Sequence, residues 1–427
     1  MKVQYISSAC LQIETSDISI LTDPWFSQGI FVGSWFSFPL IDPFDYIKEP
    51  DYIYISHIHP DHYDPDFIHQ LFERFGKKPI LIPDMEKNYL FYKGKSDGLD
   101  LTPIRSFKTG NTSLFIEEND TGSISDIDSA LIVHDDLSHQ SLLNLNDCVF
   151  NQPHVEKLQS IIHGFTDELD IIALGYTGAS PYPQTYYDLD AERELLIQKA
   201  SEKKQRGFDR YSYFTNFFNA KHHLPFAGEY LLGGSKVELN EFRGVADAFE
   251  VKGFDPKALV FHPGGGIDLN SGHTNLERDL EYTAKEISDR LSEISSTQMD
   301  YEQDLLIDFN KINFSRLMKT AAINAQKKSE IKSDYSFIFS ITKDDVIRKK
   351  FLFICSSETL NEISVNEQIS ADTYSEIIID YRLLFGLITG LYHWDNADIG
   401  SSYLTRRKPH DNFDRSVLGF LNFFTAI

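Results

Sequence analysis

From Met1 to about Asn151 the chain is a series of short β-branched or aromatic runs, each broken by Gly, Pro, Asp or Asn. Short apolar or alternating runs between turn residues are the pattern of sheet strands. Strands are therefore predicted at 3–6, 11–14, 18–22, 52–56, 80–82, 112–117, 130–134 and 142–145. Apolar positions at helical spacing predict helices over 65–75, 155–164 and 189–204, the last with Asp188 as its N-cap. Farther along, strands are expected at 224–232 and 258–262, followed by a long helix over 275–294. A polar stretch at 327–334 marks a boundary, after which strands at 335–341, 350–356 and 363–365 precede a buried helix over 375–392.

The pattern gives a mixed α/β protein in three parts: a main domain over 1–275, a helical connection over 276–330 and an α+β extension over 331–427. No internal repeat interrupts that division. The 427 residues carry 40 Lys+Arg against 64 Asp+Glu, a formal charge of −24. Binding to nucleic acid or an anionic membrane relies on a basic surface, so neither is an expected partner. A small-molecule substrate is expected instead, including an anionic one held locally by metal or arginine. Cys10, Cys148 and Cys355 lie far apart in sequence and suggest no disulfide framework. With no apolar leader at Met1 and no apolar run long enough to span a bilayer, the expected location is the cytoplasm.

The richest chemistry follows the run 51–55, in Ser56-His57-Ile58-His59-Pro60-Asp61-His62. Alternation along a strand lets His57 and His59 point the same way as the chain leaves the sheet. Asp61 and His62 follow in the turn, giving a nitrogen and oxygen donor set suited to zinc, iron or manganese. Gly264, Gly265 and Gly266 are not followed by Lys-Ser/Thr, so they do not form a phosphate loop.

His-x-His-x-Asp-His after a strand, with Thr22-Asp23-Pro24 at an earlier strand end, resembles the metallo-β-lactamase superfamily. The resemblance implies an αββα sandwich with a metal site at one edge of its two sheets. It also implies two divalent ions, zinc or iron: His57 and His59 on the first, Asp61 and His62 on the second, and Asp23 orienting a ligand. Asp147, at a strand end before Cys148, matches the aspartate that bridges the ions. For the ligand between these groups, His134 and His139 lie on a strand and its turn, and the carboxylates Glu117, Glu118, Asp120 and Asp126 fall closer to the expected loop. For the last ligand, motif favours His262, whereas element order favours the strand ending near Glu229, with His222 and His223 before it.

The stretches Leu391-Tyr-His-Trp394-Asp, Thr405-Arg-Arg-Lys-Pro and Leu224-Pro-Phe-Ala-Gly are similar to the CMP-N-acetylneuraminate hydroxylase-like proteins. That family's oxygenase takes electrons through a Rieske centre built from paired Cys and His, and three scattered cysteines do not supply one. The leading expectation is a hydrolase using metal-activated water, with Asp61 also managing its proton, on a small phosphorylated or sugar-nucleotide substrate. A di-iron oxygenase with external electrons and a binding module with an incomplete site are the alternatives. Arg406, Arg407 and Arg415 are candidate anion contacts, and Tyr176 to Tyr182 a candidate loop beside the metals. Trp25, Trp35, Phe36 and Phe38 are either a pocket cover or packed core.

Overall fold

Strand alternation and turn residues resolve into two large facing sheets. The computed structural model describes residues 1–123, 126–329, 331, 333–357, 360–367, 369, 371–410 and 415–427. One eight-stranded sheet runs in the order His273–Glu277, Phe261–Asp268, Lys2–Ser7, Cys10–Glu14, Ser19–Thr22, Tyr52–Tyr54, Ile80–Pro83, Leu101–Ile104. A six-stranded sheet runs Ala220–Phe226, Leu169–Gly175, Gln140–Asn144, Ser129–Asp135, Thr112–Glu118, Ser106–Thr109.

Inner-face residues of both sheets, among them Val3, Leu11, Ile20, Leu131, Leu142, Ile171 and Leu224, form one core between them. Helices Pro65–Phe75 and Tyr89–Ser96 cover the outer face of the first sheet, and Gln152–His163 and Arg193–Phe218 that of the second. This is the expected αββα sandwich. Strands buried on both faces read as continuous apolar runs, which is why 130–134 and 142–145 were legible as strands.

The C-terminal part carries a five-stranded sheet in the order Leu360–Ile363, Val346–Ile354, Ser336–Lys343, Tyr374–Asp380, Leu404–Lys408. Helix Phe314–Ser329 packs into that sheet's own core through Phe314, Met318, Ala321 and Ala322, so the expected connection over 276–330 divides between two neighbours. The predicted helix 275–294 is a strand, His273–Glu277, followed by a helix, Ala284–Ile294, that starts at a Thr283/Glu286 capping box. The predicted helix 375–392 is likewise a strand, Tyr374–Asp380, before a helix, Tyr381–Ile388. Asp188 caps only a turn, accepting from Asp190 and Ala191 backbone nitrogens, and the long helix begins at Arg193.

Candidate metal centre

Strand Tyr52–Tyr54 lies parallel between Ser19–Thr22 and Ile80–Pro83, so its carboxyl end opens at the same edge as that of Ser19–Thr22. Asp23 leaves the latter strand with a left-handed φ of 39° and turns its carboxylate toward the histidine turn. Its Oδ1 accepts from the Ser56 backbone nitrogen at 2.7 Å, and its Oδ2 from Ser56 Oγ at 2.7 Å. The turn ends at Asp64, whose carboxylate accepts from Phe67 N at 3.0 Å as helix cap and from Ser27 N at 2.7 Å, with Pro65 next in line. His57 to His62 are therefore clamped at both ends.

Each imidazole has an outward nitrogen in a polar contact. His62 Nδ1 faces Asp23 Oδ2 at 3.0 Å, His57 Nδ1 faces Ser56 Oγ at 2.9 Å, and His59 Nε2 faces Asp395 Oδ2 at 2.9 Å. The opposite nitrogens converge, with His57 Nε2 and His59 Nδ1 3.0 Å apart. Carboxylates close the ring: Asp128 Oδ1 lies 3.9 Å from His57 Nε2, Asp61 Oδ2 3.7 Å from His62 Nε2, and Asp147 Oδ1 3.6 Å from the same atom. Ligand atoms of His57, His62 and Asp147 all lie within 4.8 Å of one another. Metal bonds of about 2.0–2.2 Å set neighbouring donors about 3–4 Å apart, so the residues fit a cation-binding centre. The outward carboxylate–histidine contacts are those that fix a metal-binding imidazole's orientation.

Protonation tells the same story. Burial alone would lower His62, but Asp61, Asp147 and Asp23 hold its proton and raise it to about 10. Burial also opposes His59, which Asp395, Asp61 and Asp128 raise to about 9. His57 sits well below the usual imidazole range through burial and its two histidine neighbours. Burial, and then the charge of Asp147, push Asp61 up, against the opposing pull of His62. Cations would replace those protons, which is how metal binding couples to pH.

His57, His59, Asp61, His62 and Asp147 are brought together; His262 is not. It follows buried Phe261 on a strand, so alternation turns it to solvent, near Glu286. His223 faces Asp255 at 2.7 Å, and Glu229 accepts from Tyr5 Oη and Arg278. His134 faces Ser141 Oγ within the second sheet, and His139 sits in its hairpin at φ 54°. Glu117 pairs with Lys157, Asp126 accepts from Thr121, and the Asp120 side chain accepts from Gly122 N.

The acid between the clusters is Asp128, one residue before strand Ser129–Asp135, where a buried strand delivers it to the sheet edge. Asp395, on helix Trp394–Ile399, is the second group missed by sequence reasoning. Trp25, Trp35, Phe36 and Phe38 are core, and Trp35 stacks on Tyr230 with ring centroids 3.4 Å apart. Arg406 donates to Thr185 O and Arg407 lies over Tyr186, while the Arg415 side chain falls outside the described residues.

Two sheets between helices, with a His/Asp cluster at the strand ends, define a metallo-β-lactamase-type protein. Residues 2–161 match the family model of the β-lactamase superfamily domain, so this part of the chain is a domain of the metallo-β-lactamase type. It is 26% identical over 258 residues to the cytidine monophosphate-N-acetylneuraminic acid hydroxylase of Danio rerio, covering 56% of this chain and 42% of that one. It is 27% identical over 238 residues to a protein of Mycolicibacterium smegmatis named as a Rieske 2Fe-2S iron-sulfur protein, covering 53% and 43%. The chain thus spans less than half the length of these relatives. Among solved structures it is similar to an isothiocyanate hydrolase from Delia radicum gut bacteria, at 13% identity and a TM-score of 0.42, over 64% of this chain and 100% of that one. Among the described residues no helix is long and apolar enough to cross a membrane.

Proposed function

We propose that this chain is a metal-dependent enzyme that hydroxylates a small molecule at an iron-loaded His/Asp centre. The carrying observation is Asp128 beside His57 and His59, which makes one side of the cluster two imidazoles and a carboxylate. That donor set with open positions is the one associated with oxygen-activating iron, whereas zinc sites of this fold are expected to be richer in histidine. The hydroxylase name of a relative is in keeping with this reading. In balance, R–H, dioxygen, two electrons and two protons give R–OH and water. The electrons come from a redox centre outside these 427 residues, whose Cys10, Cys148 and Cys355 are buried in three different cores.

His57, His59 and Asp128 would hold one ion, and Asp61, His62 and Asp147 the other. Bound iron supplies dioxygen activation. Asp23, Ser56 and Asp395 orient the imidazoles, and the Asp61 carboxyl, raised by burial, is placed to hold or release a proton beside His62.

The same position of Asp61 favours a second reading, zinc-dependent hydrolysis with Asp61 as base toward water. Metal content of protein purified without oxygen tests both. Two irons with an oxygen-sensitive absorption band are expected; two zincs would transfer the assignment to hydrolysis. Substoichiometric metal after supplying either ion would overturn both in favour of a binding module.

A further inference from the structure

Helix Arg193–Phe218 turns one lysine inward. Lys203 is buried, and its amine makes one hydrogen bond, to Ser180 O at 3.3 Å, although an ammonium has three donors to satisfy. Among the described residues no carboxylate pairs with it, and the charged groups that act on it are Arg243 and Arg206. Arg243 is also buried and has no acidic partner among the described residues. It donates to Tyr230 O at 2.8 Å, lies 4.4 Å from the Tyr230 ring centre, and leaves its Nε without a partner. Burial and the two guanidiniums pull the Lys203 amine down to about 7.

Gly244 lies against the Ala200 carbonyl on the helix that carries Lys203, so the two basic residues stand on packed elements, and burying both without an anion among the described residues is a stability cost. In a chain of net charge −24, a carboxylate was easily available to neutralise them. The polar groups around them are also incompletely used: Thr177 Oγ1 and Gln184 Oε1, in the loop over Lys203, are buried without partners. Two sets of contacts lead from these residues toward the metal centre. Tyr230, which carries Arg243 on its face, stacks on Trp35 at 3.4 Å, Trp35 packs on Phe31 at 4.6 Å, and the Phe31 ring lies 6.3 Å from that of His59. On the other side Arg210 donates to Thr177 O and reaches Gly175, which also abuts the carbonyl of Asn146, the residue before Asp147.

We propose that Lys203 and Arg243 form a subsite for an oxyanion, phosphate or carboxylate, carried by the molecule that reacts at the metal centre. The assignment rests on the His/Asp cluster being the reaction centre. The anion would give Lys203 its missing acceptors and turn two repelling charges into charge-assisted hydrogen bonds. The cations would then set the distance between the anionic group and the reacting carbon or ester.

The test is calorimetry of the full chain, stripped of metal by chelator, with inorganic phosphate and with acetate at pH 6.5 and matched ionic strength. Saturable one-to-one binding of at least one probe is expected. Lys203→Met should weaken it by about tenfold or more, and Lys203→Arg should largely retain it. Tighter phosphate than acetate assigns a phosphorylated ligand, and the reverse a carboxylate. Lys203→Met removes an uncompensated buried charge, so it should fold at least as well as the parent. No saturable binding of either probe, or binding unchanged in Lys203→Met, would overturn the subsite. Because no metal is present, this result stands apart from metal content, which decides the reading of the centre.

Discussion

Two buried charge clusters sit at strand ends in the sandwich, and they differ in how their charge is closed. After strand Ala220–Phe226, Arg278 donates to Glu229 at 3.1 Å and Asp247 at 2.7 Å and lies over the Tyr282 ring. Burial, against the pull of Arg278 and the Tyr5 hydrogen bond, raises Glu229 to about 7, so the cluster is close to neutral. The histidine cluster gathers Asp23, Asp61, Asp128, Asp147 and Asp395, which pair with His57, His59 and His62. A cluster that neutralises itself is structural; one whose carboxylates outnumber its protonated imidazoles is built for cations that arrive from outside.

Breaking the closed cluster should have the largest effect on stability. Arg278→Met would leave Glu229 and Asp247 buried without their cation and should cost about 3–5 kcal/mol. Urea unfolding of the chelator-treated chain measures it, with metal uptake unchanged in the folded fraction. A loss below about 1 kcal/mol, the level of an exposed pair, would erase the distinction between the clusters.

The open cluster should respond in the opposite way. Asp147→Asn removes a carboxylate that repels Asp61 but also helps hold the His62 proton, so the stability of the metal-free chain should change by less than about 1 kcal/mol, while metal affinity falls at least about a hundredfold. Competition with a chelator of known affinity reads the loss. A large drop in metal-free stability with unchanged affinity would make Asp147 a structural residue.

How much of this was legible follows from chain distance. His57 to His62 are consecutive, and one strand and one turn place them, so the motif alone carried that side of the cluster. Asp147 was readable because it lies in the turn just after a strand that was readable, Gln140–Asn144. Asp128 was passed over for nearby acids because nothing local marks which acid precedes a buried strand; the uninterrupted run 129–135 was the available signal. His262 misled because it stands beside Pro and Gly in a motif-like stretch, while strand alternation sends it outward. Asp395 lies 336 residues from His59, and only the packing of the C-terminal part brings it there. Lys203 reads as one polar residue among many on a charged helix; its burial comes from the loop that folds across it.

Asp395 sharpens the comparison because it lends the open cluster a carboxylate from outside the sandwich. Asp395→Ala frees His59 Nε2 and lets the ring turn, so metal affinity should fall about ten- to a hundredfold with little change in the C-terminal core, where Trp394 is the buried neighbour. Unchanged affinity would show that the sandwich closes the centre by itself.

The smallest effect is a pH slope, and it separates the acidic cluster from the buried cations Lys203 and Arg243. Lys203 is held at about 7 in the folded chain and returns to an ordinary lysine value near 10.5 on unfolding. Between those values the unfolded chain binds more protons, so this group makes stability rise with pH across that window, by at most about 1.4 kcal/mol per unit. Below about 7 the penalty of charging the amine against Arg243 and Arg206 is fully present in the native state. Unfolding free energies of the metal-free chain from pH 7 to 9, with Lys203→Met subtracted, isolate the term from the histidines. Those groups run the other way: His59 and His62, raised to about 9 and about 10, favour the fold below an ordinary imidazole value and lose that contribution as pH climbs through them. A parent and Lys203→Met with the same slope would mean that the lysine's charge is compensated in solution, and the two regions would then no longer form a pair of opposite, open charges.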